Sequence, residues 1–216
     1  MRKIVKILLI LCICSLAYGC SKQSENIKVK EFSIPSAEIN TIEIVLKNIP
    51  VNFVISETDT ISLSYSQNEK NYLDINEENG TLSIRSKTER EFLDYIGFND
   101  NSAQSLTIEI PAVIQSDFNL KTSNSDIVLP EIDMKGNVNI DLNNGDILFD
   151  KIMFEKDTIL FAKNGNIKGK INNKYEEFKI VSEAHKGESN LPDSKKNGNK
   201  LLNVSTNNGD VEIEFE

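Results

Sequence analysis

The chain has 216 residues, among them 33 Asp or Glu and 24 Lys or Arg, so its formal net charge is −9. Such an acidic chain is repelled by nucleic acid and by anionic lipid headgroups, which excludes both as expected partners. It has no tryptophan, one histidine (His185), and three cysteines that all lie within the first 20 residues. No Ser-His, Cys-His or zinc arrangement can be assembled from these residues, so we expect no enzyme and no cofactor.

Residues 1–19 have the composition of a lipoprotein signal peptide. Three of the first six residues are basic, and the apolar run 7–17 is shorter than the roughly 20 residues of a membrane span. Ala17-Tyr18-Gly19-Cys20 is typical of a lipobox, so Cys20 is predicted to carry the lipid. The alternative is an ordinary cleavage site beside a coincidental cysteine. Lipidation predicts a membrane-anchored protein of the bacterial cell envelope that faces outside the cytoplasm.

Two segments precede the repeats described below. Residues 20–33 are polar and charged without strong periodicity, and they are predicted to be a flexible tether. Residues 34–110 contain short alternating runs rich in β-branched residues, separated by turn-forming residues. This pattern predicts mostly antiparallel strands that cap one end of the repeats, whose first unit would otherwise expose an open sheet edge.

One insertion interrupts the predicted cap. Thr88-Glu89-Arg90-Glu91 has the form of a capping box, and Gly97 is a candidate C-cap, which together predict a short helix. Phe92, Tyr95 and Phe98 belong to the same insertion. Their aromatic side chains either pack on the neighbouring sheet or form a patch for a partner protein.

Residues 111–216 repeat one unit, which is clearest from Val138 to Asp150. Alternating apolar residues precede an Asn-Gly-Asp turn, and the alternation resumes after it. The turn positions, spaced 20, 20, 22 and 22 residues apart, are Ser125, Gly145, Gly165, Gly187 and Gly209. A fixed period with one turn per period predicts an all-β fold, a single-chain β-solenoid of about five rungs of 20–22 residues.

Alignment of the repeats by their turns predicts columns of inward side chains. In chain order, the first column is Leu120, Ile140, Leu160, Ser182 and Val204. A second column contains Ser189, so two serines fall in the same rung, residues 175–196. This rung also carries a long polar run, and a loop is expected to bulge from it.

The repeated turns have a structural and a chemical interpretation. Asn, Asp and Gly are the residues that a tight left-handed turn requires, and stacked Asn side chains can hydrogen-bond along a ladder. Gly145 and Gly165 are therefore predicted at positive φ. The alternative is calcium binding by a column of Asp126, Asp146 and Asp210, although the short period and paired glycines of known calcium repeats are absent. We expect structural turns without metal, formed by Asn124, Asn144, Gly145, Asp146, Asn164, Gly165, Asn208, Gly209 and Asp210.

One enzymatic alternative rests on carboxylates. Asp141 with Asp126 or Asp146 could form the acid pair of a glycoside hydrolase. Residues 111–216 contain no arginine and no tryptophan, however, and clefts that cleave carbohydrates usually need such side chains to orient sugars. The pattern does not favour this activity.

Residues 38–216 resemble a known family. The resemblance rests on the strand that ends in Ile108-Glu109-Ile110-Pro111, followed by repeated strand, Asn-Gly-Asp, strand units. It is similar to the domain of unknown function 4097 family, labelled "putative adhesin", whose members are bacterial envelope proteins. The resemblance implies a β-solenoid-like fold and supplies no catalytic residues.

Two functions remain open at this point. The first is surface binding or adhesion, in which the solenoid presents rows of Asn, Asp, Thr and Lys to a surface ligand. The alternative is an accessory for envelope-stress sensing or scaffolding, which acts through an unidentified envelope protein in the membrane. Both functions place the protein at the membrane through a lipid on Cys20.

Overall fold

The computed structural model describes residues 27–89 and 104–216, and these residues form an all-β protein. They contain no α-helix, and their short 3₁₀ turns are Ser36–Glu38 and Tyr175–Glu177. The all-β prediction is therefore confirmed. The strands are β1 (Lys28–Pro35), β2 (Thr41–Lys47), β3 (Val51–Ser56), β4 (Thr60–Gln67), β5 (Asn71–Glu78), β6 (Thr81–Thr88), β7 (Leu106–Pro111), β8 (Val113–Ile114), β9 (Asp117–Ser123), β10 (Ile127–Leu129), β11 (Asp133–Met134), β12 (Val138–Asn144), β13 (Ile147–Phe154), β14 (Thr158–Asn164), β15 (Ile167–Ile171), β16 (Phe178–Ala184), β17 (Ser194–Lys195), β18 (Lys200–Asn208) and β19 (Val211–Phe215).

The middle of the chain forms parallel strands that repeat every 20 residues. Ile140 of β12 pairs with Leu120 of β9 on one side and with Leu160 of β14 on the other. After the turn, Ile147 of β13 pairs in the same way with β10 and β15. Alternation buries one side of each strand, and the repeat period then stacks apolar residues on apolar residues.

Strands on the two sides of the turns form separate sheets around one core. The first sheet has the order β17-β16-β18-β14-β12-β9-β2-β6-β5. The second sheet has the order β19-β15-β13-β11-β8, with β10 also paired to β13. An N-terminal sheet has the order β1-β4-β7-β3. Phe118, Phe154 and Phe178 are fully buried members of the shared hydrophobic core.

The last repeat does not stack in chain order. β18 lies between β14 and β16, so Val204 pairs with Leu160 on one side and with Ser182 on the other. The alignment that placed Ser182 between Leu160 and Val204 is therefore corrected. Ser182 and Ser189 belong to the terminal layer, where their hydroxyl oxygens lie 2.7 Å apart. In this column valine thus lies in the interior, and the two serines lie in the terminal layer, where they hydrogen-bond to each other.

The predicted tether is shorter than residues 20–33. Strand β1 already begins at Lys28 and pairs antiparallel with β4, with Phe32 opposite Leu63. Lys28 to Ser33 are therefore strand residues. The segment looked like a linker because β1 is an edge strand that is mostly exposed, so its outward positions are polar or charged.

The N-terminal strands and the repeats share one sheet. β2 pairs in parallel with β9, with Ile44 opposite Leu120, and it pairs on its other side with β6. The pairs β1–β4, β4–β7 and β5–β6 are antiparallel, whereas β2–β6 and β3–β7 are parallel. The predicted boundary between residues 110 and 111 therefore does not divide the structure into two units, because strands from both sides of it pair in the first sheet.

Two lysines, Lys195 and Lys200, which we call the lysine clasp, join the strands at the C-terminal end of the stack. The side chain of Lys200, only 7% exposed, donates from Nζ to the carbonyl oxygen of Phe154 at 2.6 Å and lies 2.8 Å from a Glu177 carboxylate oxygen. Lys195 of β17 donates to the carbonyl oxygen of Phe178 at 2.6 Å. These two cations join the 3₁₀ turn, β16 and β18, which fixes the out-of-order strand in place.

Several sequence predictions fall outside the described residues. They are the signal peptide 1–19, the lipidation site Cys20, the helix from residue 90 onward, and the aromatic set Phe92, Tyr95 and Phe98. Thr88, the first residue of the predicted capping box, is the last residue of β6.

Candidate binding surface

A ladder of asparagine side chains runs along the turn edge of the stack. Asn144 donates from Nδ2 to Asn124 Oδ1 at 2.6 Å, and Asn164 donates to Asn144 at 2.7 Å. Asn208 donates to Asn164 at 2.5 Å, and Asn124 donates to Asn48. The structure thus adds Asn48 to the predicted turn residues. No Asn-Gly pair marks this position in the sequence, and only its spacing after an alternating strand could have indicated it.

Glycine is required in this edge for two reasons. Gly145 and Gly165 have φ of 129° and 157°, a backbone conformation that side chains disfavour. A Cβ atom on Gly165 would also lie 2.0 Å from the carbonyl oxygen of Gly145, and one on Gly209 would lie 2.1 Å from that of Gly165. Turn backbones therefore lie directly on one another, with no space for a side chain between them.

A second ladder follows the first by two residues. Asp126 Oδ1 accepts the backbone N–H of Asp146 at 2.9 Å, and Asp146 Oδ1 accepts that of Asn166 at 2.7 Å. Asn166 and Asp210 continue the series, which ends on the backbone N–H of Glu188. Each carboxylate of the proposed calcium column is thus bonded to the backbone of the next layer, and Asn166 separates Asp146 from Asp210.

The first sheet presents a broad outer face. Lys121 and Asp141, adjacent on β9 and β12, form an ion pair of 2.7 Å, and Arg85 pairs with Glu43 at 2.6 Å. Other outward positions of the same face carry asparagine and serine, among them Asn119, Asn139 and Ser205. Apolar side chains appear toward the C-terminal end, where Ile159 and Val181 are 40% and 45% exposed.

The second sheet carries a shallow groove of about 630 Å³. Its floor includes Leu148 and Phe149, with the backbone of Gly169 beside them, and Val128, which is 55% exposed, lies at one end. A Cβ atom on Gly169 would lie 2.3 Å from the Phe149 ring, so this glycine makes room for the aromatic side chain. Charged residues that line the groove are Asp150, Lys168, Lys170, Glu212 and Glu214.

Two charged residues, Lys168 in the groove and Glu177 at the end of the stack, are held in hydrogen-bonded pairs that shift their pKa values. A hydrogen bond from Lys168 to Glu212, 2.7 Å long, raises the pKa of Lys168 above its ordinary value. A hydrogen bond from Lys200 lowers the pKa of Glu177. Both shifts favour the charged forms, whereas a proton-transferring group needs a pKa near the working pH.

The structure does not assemble the candidate catalytic groups. Asp141 is paired with Lys121, and Asp126 and Asp146 accept hydrogen bonds from the backbone. His185 is exposed, with Nδ1 3.3 Å from a carboxylate oxygen of Glu183. Within residues 27–89 and 104–216, no group of three His, Cys, Asp or Glu side chains is placed to hold a metal ion.

Comparison with known proteins identifies relatives. A family model described as Toastrack DUF4097 matches residues 39–173. A crystal structure of a "putative cell adhesion protein" from Clostridium sporogenes is 14% identical, with a TM-score of 0.63 over 88% of this chain and 100% of that one. A "putative adhesin" from Bacteroides fragilis is 12% identical, with a TM-score of 0.33 over 86% and 97% of the two chains. No curated protein matches the chain.

The described part of the chain also bears on membrane attachment. None of its helices is long and apolar enough to cross a bilayer. At 14% identity, the likeness to the Clostridium sporogenes protein establishes the fold and leaves the function to be argued from the surface.

Proposed function

Because the chain belongs to the Toastrack DUF4097 family, we propose that it is a non-catalytic envelope protein, anchored by a lipid on Cys20, that binds or adheres to surfaces. In this proposal a β-solenoid of about five rungs is the display platform. The Clostridium sporogenes protein of similar fold is described as a "putative cell adhesion protein", and the proposal takes the same class of function.

The outer face of the first sheet carries this proposal. Its strands are held in register by parallel pairing and by two side-chain ladders at the turn edge, so the face is rigid before any partner binds. A rigid face loses little conformational entropy on binding. Because the charges of Lys121 and Arg85 are already paired within the face, the ligand is not required to neutralise them.

Lipidation gives this face its location. Cys20 lies eight residues before the first residue of β1, Lys28, so a lipid on Cys20 would anchor the fold through a short connection. Many copies in one membrane would then present parallel faces, and multivalent attachment strengthens weak individual contacts.

The test compares cells that produce the full-length protein with cells that produce Cys20→Ala. We expect palmitate incorporation, membrane retention and attachment of cells to a surface ligand for the first, and loss of all three for the second. Palmitate labelling of Cys20→Ala would contradict the anchor. Labelled, surface-exposed protein that gives no attachment would contradict the adhesive function.

The accessory function predicts a different result in the same cells. In that case the intact lipoprotein co-purifies with one membrane protein from solubilised envelopes, and Cys20→Ala loses this association. Co-purification without any attachment of whole cells would favour envelope-stress sensing or scaffolding over adhesion.

A further inference from the structure

One column of outward residues on the first sheet has a composition unlike the rest of the chain. It lies beside the asparagine ladder, one residue earlier in each strand. We call it the polar stripe, and its members, in spatial order across the sheet, are Lys47, Ser123, Asn143, Lys163, Asn207 and His185. No carboxylate belongs to it, although the chain has 33 acidic residues.

Five of the six polar side chains of the stripe are available for a ligand, whereas His185 Nδ1 lies 3.3 Å from a carboxylate oxygen of Glu183. Asn144, Asn164 and Asn208 use their side-chain amides within the ladder. In residues 27–89 and 104–216, by contrast, the side chains of Asn143 and Asn207 make no hydrogen bond, and the same holds for Ser123, Lys47 and Lys163. The two neighbouring columns therefore differ in role, since the asparagine ladder holds the stack together and the stripe presents unused donors and acceptors.

The geometry points to an elongated ligand. Six positions spaced about 4.8 Å apart form a line of about 24 Å, parallel to the axis of stacking. Asn143 and Lys163 are exposed, and the ladder fixes the backbone beneath them. A chain molecule lying along this line meets one polar side chain at each strand.

We infer that the polar stripe binds a neutral, linear polysaccharide, which deepens the proposed function and rests on it. Sugar hydroxyls donate and accept hydrogen bonds, as the amides of Asn143 and Asn207 and the hydroxyl of Ser123 do. The half-buried ring of Phe161, in the adjacent column beside Lys163, offers an apolar contact for a sugar ring. A protein partner would instead need a desolvated apolar or aromatic anchor at the centre of the contact.

A polyanion fits this surface less well. Although the two lysines of the stripe would attract an anionic polymer, the chain as a whole has a net charge of −9 and repels it. On a flat surface each site is weak, and avidity among membrane-anchored copies supplies the attachment.

Native gel electrophoresis of the full-length protein tests the inference. The gels contain hydroxyethyl cellulose or galactomannan as neutral probes and alginate as the anionic probe. We expect retardation by at least one neutral probe and none by alginate. The variant N143D/N207D places carboxylates in the stripe without changing side-chain size, and it should weaken binding on the order of tenfold or more.

Matched variants decide whether the stripe is the site. N139D/N203D makes the same change in the same strands, β12 and β18, four residues earlier, and it should bind like the unmodified protein with the same melting temperature. Lys163→Gln replaces the ammonium group with an amide that still donates hydrogen bonds, and it should retain binding to the neutral probe. Retardation by no neutral probe, stronger binding to alginate, or equal losses in both double variants would overturn the inference.

The outcome is separable from that of the proposed function. If the purified protein is retarded but cells displaying it attach to nothing, adhesion fails and the polysaccharide site stands. If cells attach while the purified protein is retarded by no neutral probe, adhesion stands and the stripe is not a polysaccharide site.

Discussion

The interior turns of the ladder differ from those at its N-terminal end, although the sequence alignment treats the turn at Ser125 as a copy of the others. In the interior, positive φ falls on Gly145 and Gly165. Toward the N-terminal end it falls one residue earlier, on Asn48 and Asn124, with φ of 57° and 60°. Asparagine tolerates the left-handed region better than other side chains, so these turns need no glycine.

Stacking explains why glycine occupies each aligned turn position except Ser125. The Cβ position of each turn glycine faces the backbone of one neighbouring layer: a Cβ atom on Gly145 would lie 2.4 Å from the carbonyl oxygen of Ser125, and one on Gly187 would lie 1.9 Å from that of Gly209. Next to Ser125 the stack opens, because Pro50 has no N–H to donate and β3 pairs with β7 instead of β10. The resulting space, about 550 Å³, is lined by Pro50, Val51 and Ser125 among others. A turn needs glycine where another turn is stacked against its Cβ position, whereas Ser125 lies beside open space and does not.

The largest expected effect follows from this contrast. Gly165→Val combines an unfavourable φ with a backbone clash at 2.0 Å, and we expect it to lower the free energy of unfolding by about 3 to 5 kcal/mol. Ser125→Val, in the open turn, should cost about 1 kcal/mol or less. Urea denaturation of the purified protein measures both. Equal losses would show that stacking does not distinguish the two turns.

The clasp at the C-terminal end predicts the next effect. Lys200→Met keeps the length of a buried side chain but removes its bond to the Phe154 carbonyl and its ion pair with Glu177. We expect a loss of about 2 to 3 kcal/mol, because a buried carbonyl is left unpaired. The exposed Lys179→Met on β16 is the matched control and should change stability by less than about 0.5 kcal/mol. A similar loss in both variants would show that the clasp does not stabilise this end.

The asparagine ladder sharpens the comparison of interior and end. Asn144→Ala removes two ladder hydrogen bonds, to Asn124 and from Asn164, and should cost about 2 kcal/mol. Asn208→Ala removes one and should cost about 1 kcal/mol. Denaturation midpoints at constant m-value give both numbers. Asn143→Ala, outside the ladder, should be nearly neutral, and a large loss there would remove the distinction between ladder and stripe.

A smaller effect is expected on the pH dependence of stability, through Glu177 at the C-terminal end of the stack. The pKa of Glu177 in the folded protein is lowered from 4.5, chiefly by its hydrogen bond with Lys200. A lowered folded pKa contributes stability that is fully present above pH 4.5 and is lost as the pH falls through the folded value. Glu177→Gln should therefore show a shallower loss of stability below pH 4.5 than the unmodified protein. Identical slopes in acid denaturation would exclude a role for this carboxylate.

The sequence was sufficient to predict the repeats and their turns because one period governs both burial and turn chemistry. It did not show that Val204 lies between Leu160 and Ser182. A repeat period gives the length of each rung but not the spatial order in which the rungs stack, which depends on the side chains that each position buries. The sequence also did not show β1 or Asn48, where an exposed edge and a turn without glycine leave no periodic signal. Of the candidate surface, the rows of Asn and Lys were visible in the sequence. The difference between bonded and unbonded asparagines needed the hydrogen-bond partners.

The smallest expected effect concerns calcium and tests whether the second ladder is purely structural. Asp126 and Asp146 each use Oδ1 to accept a backbone N–H of the next layer, and Asn166 interrupts the column before Asp210. Removing divalent ions with a chelator should therefore leave the melting temperature unchanged. A bound ion at 100 times its dissociation constant would instead add about 2.7 kcal/mol, a shift of several degrees for a domain of this size. A calcium-dependent rise in melting temperature that disappears in Asp146→Asn would show that the second ladder binds the metal. This variant keeps an oxygen acceptor for the backbone N–H and removes only the charge.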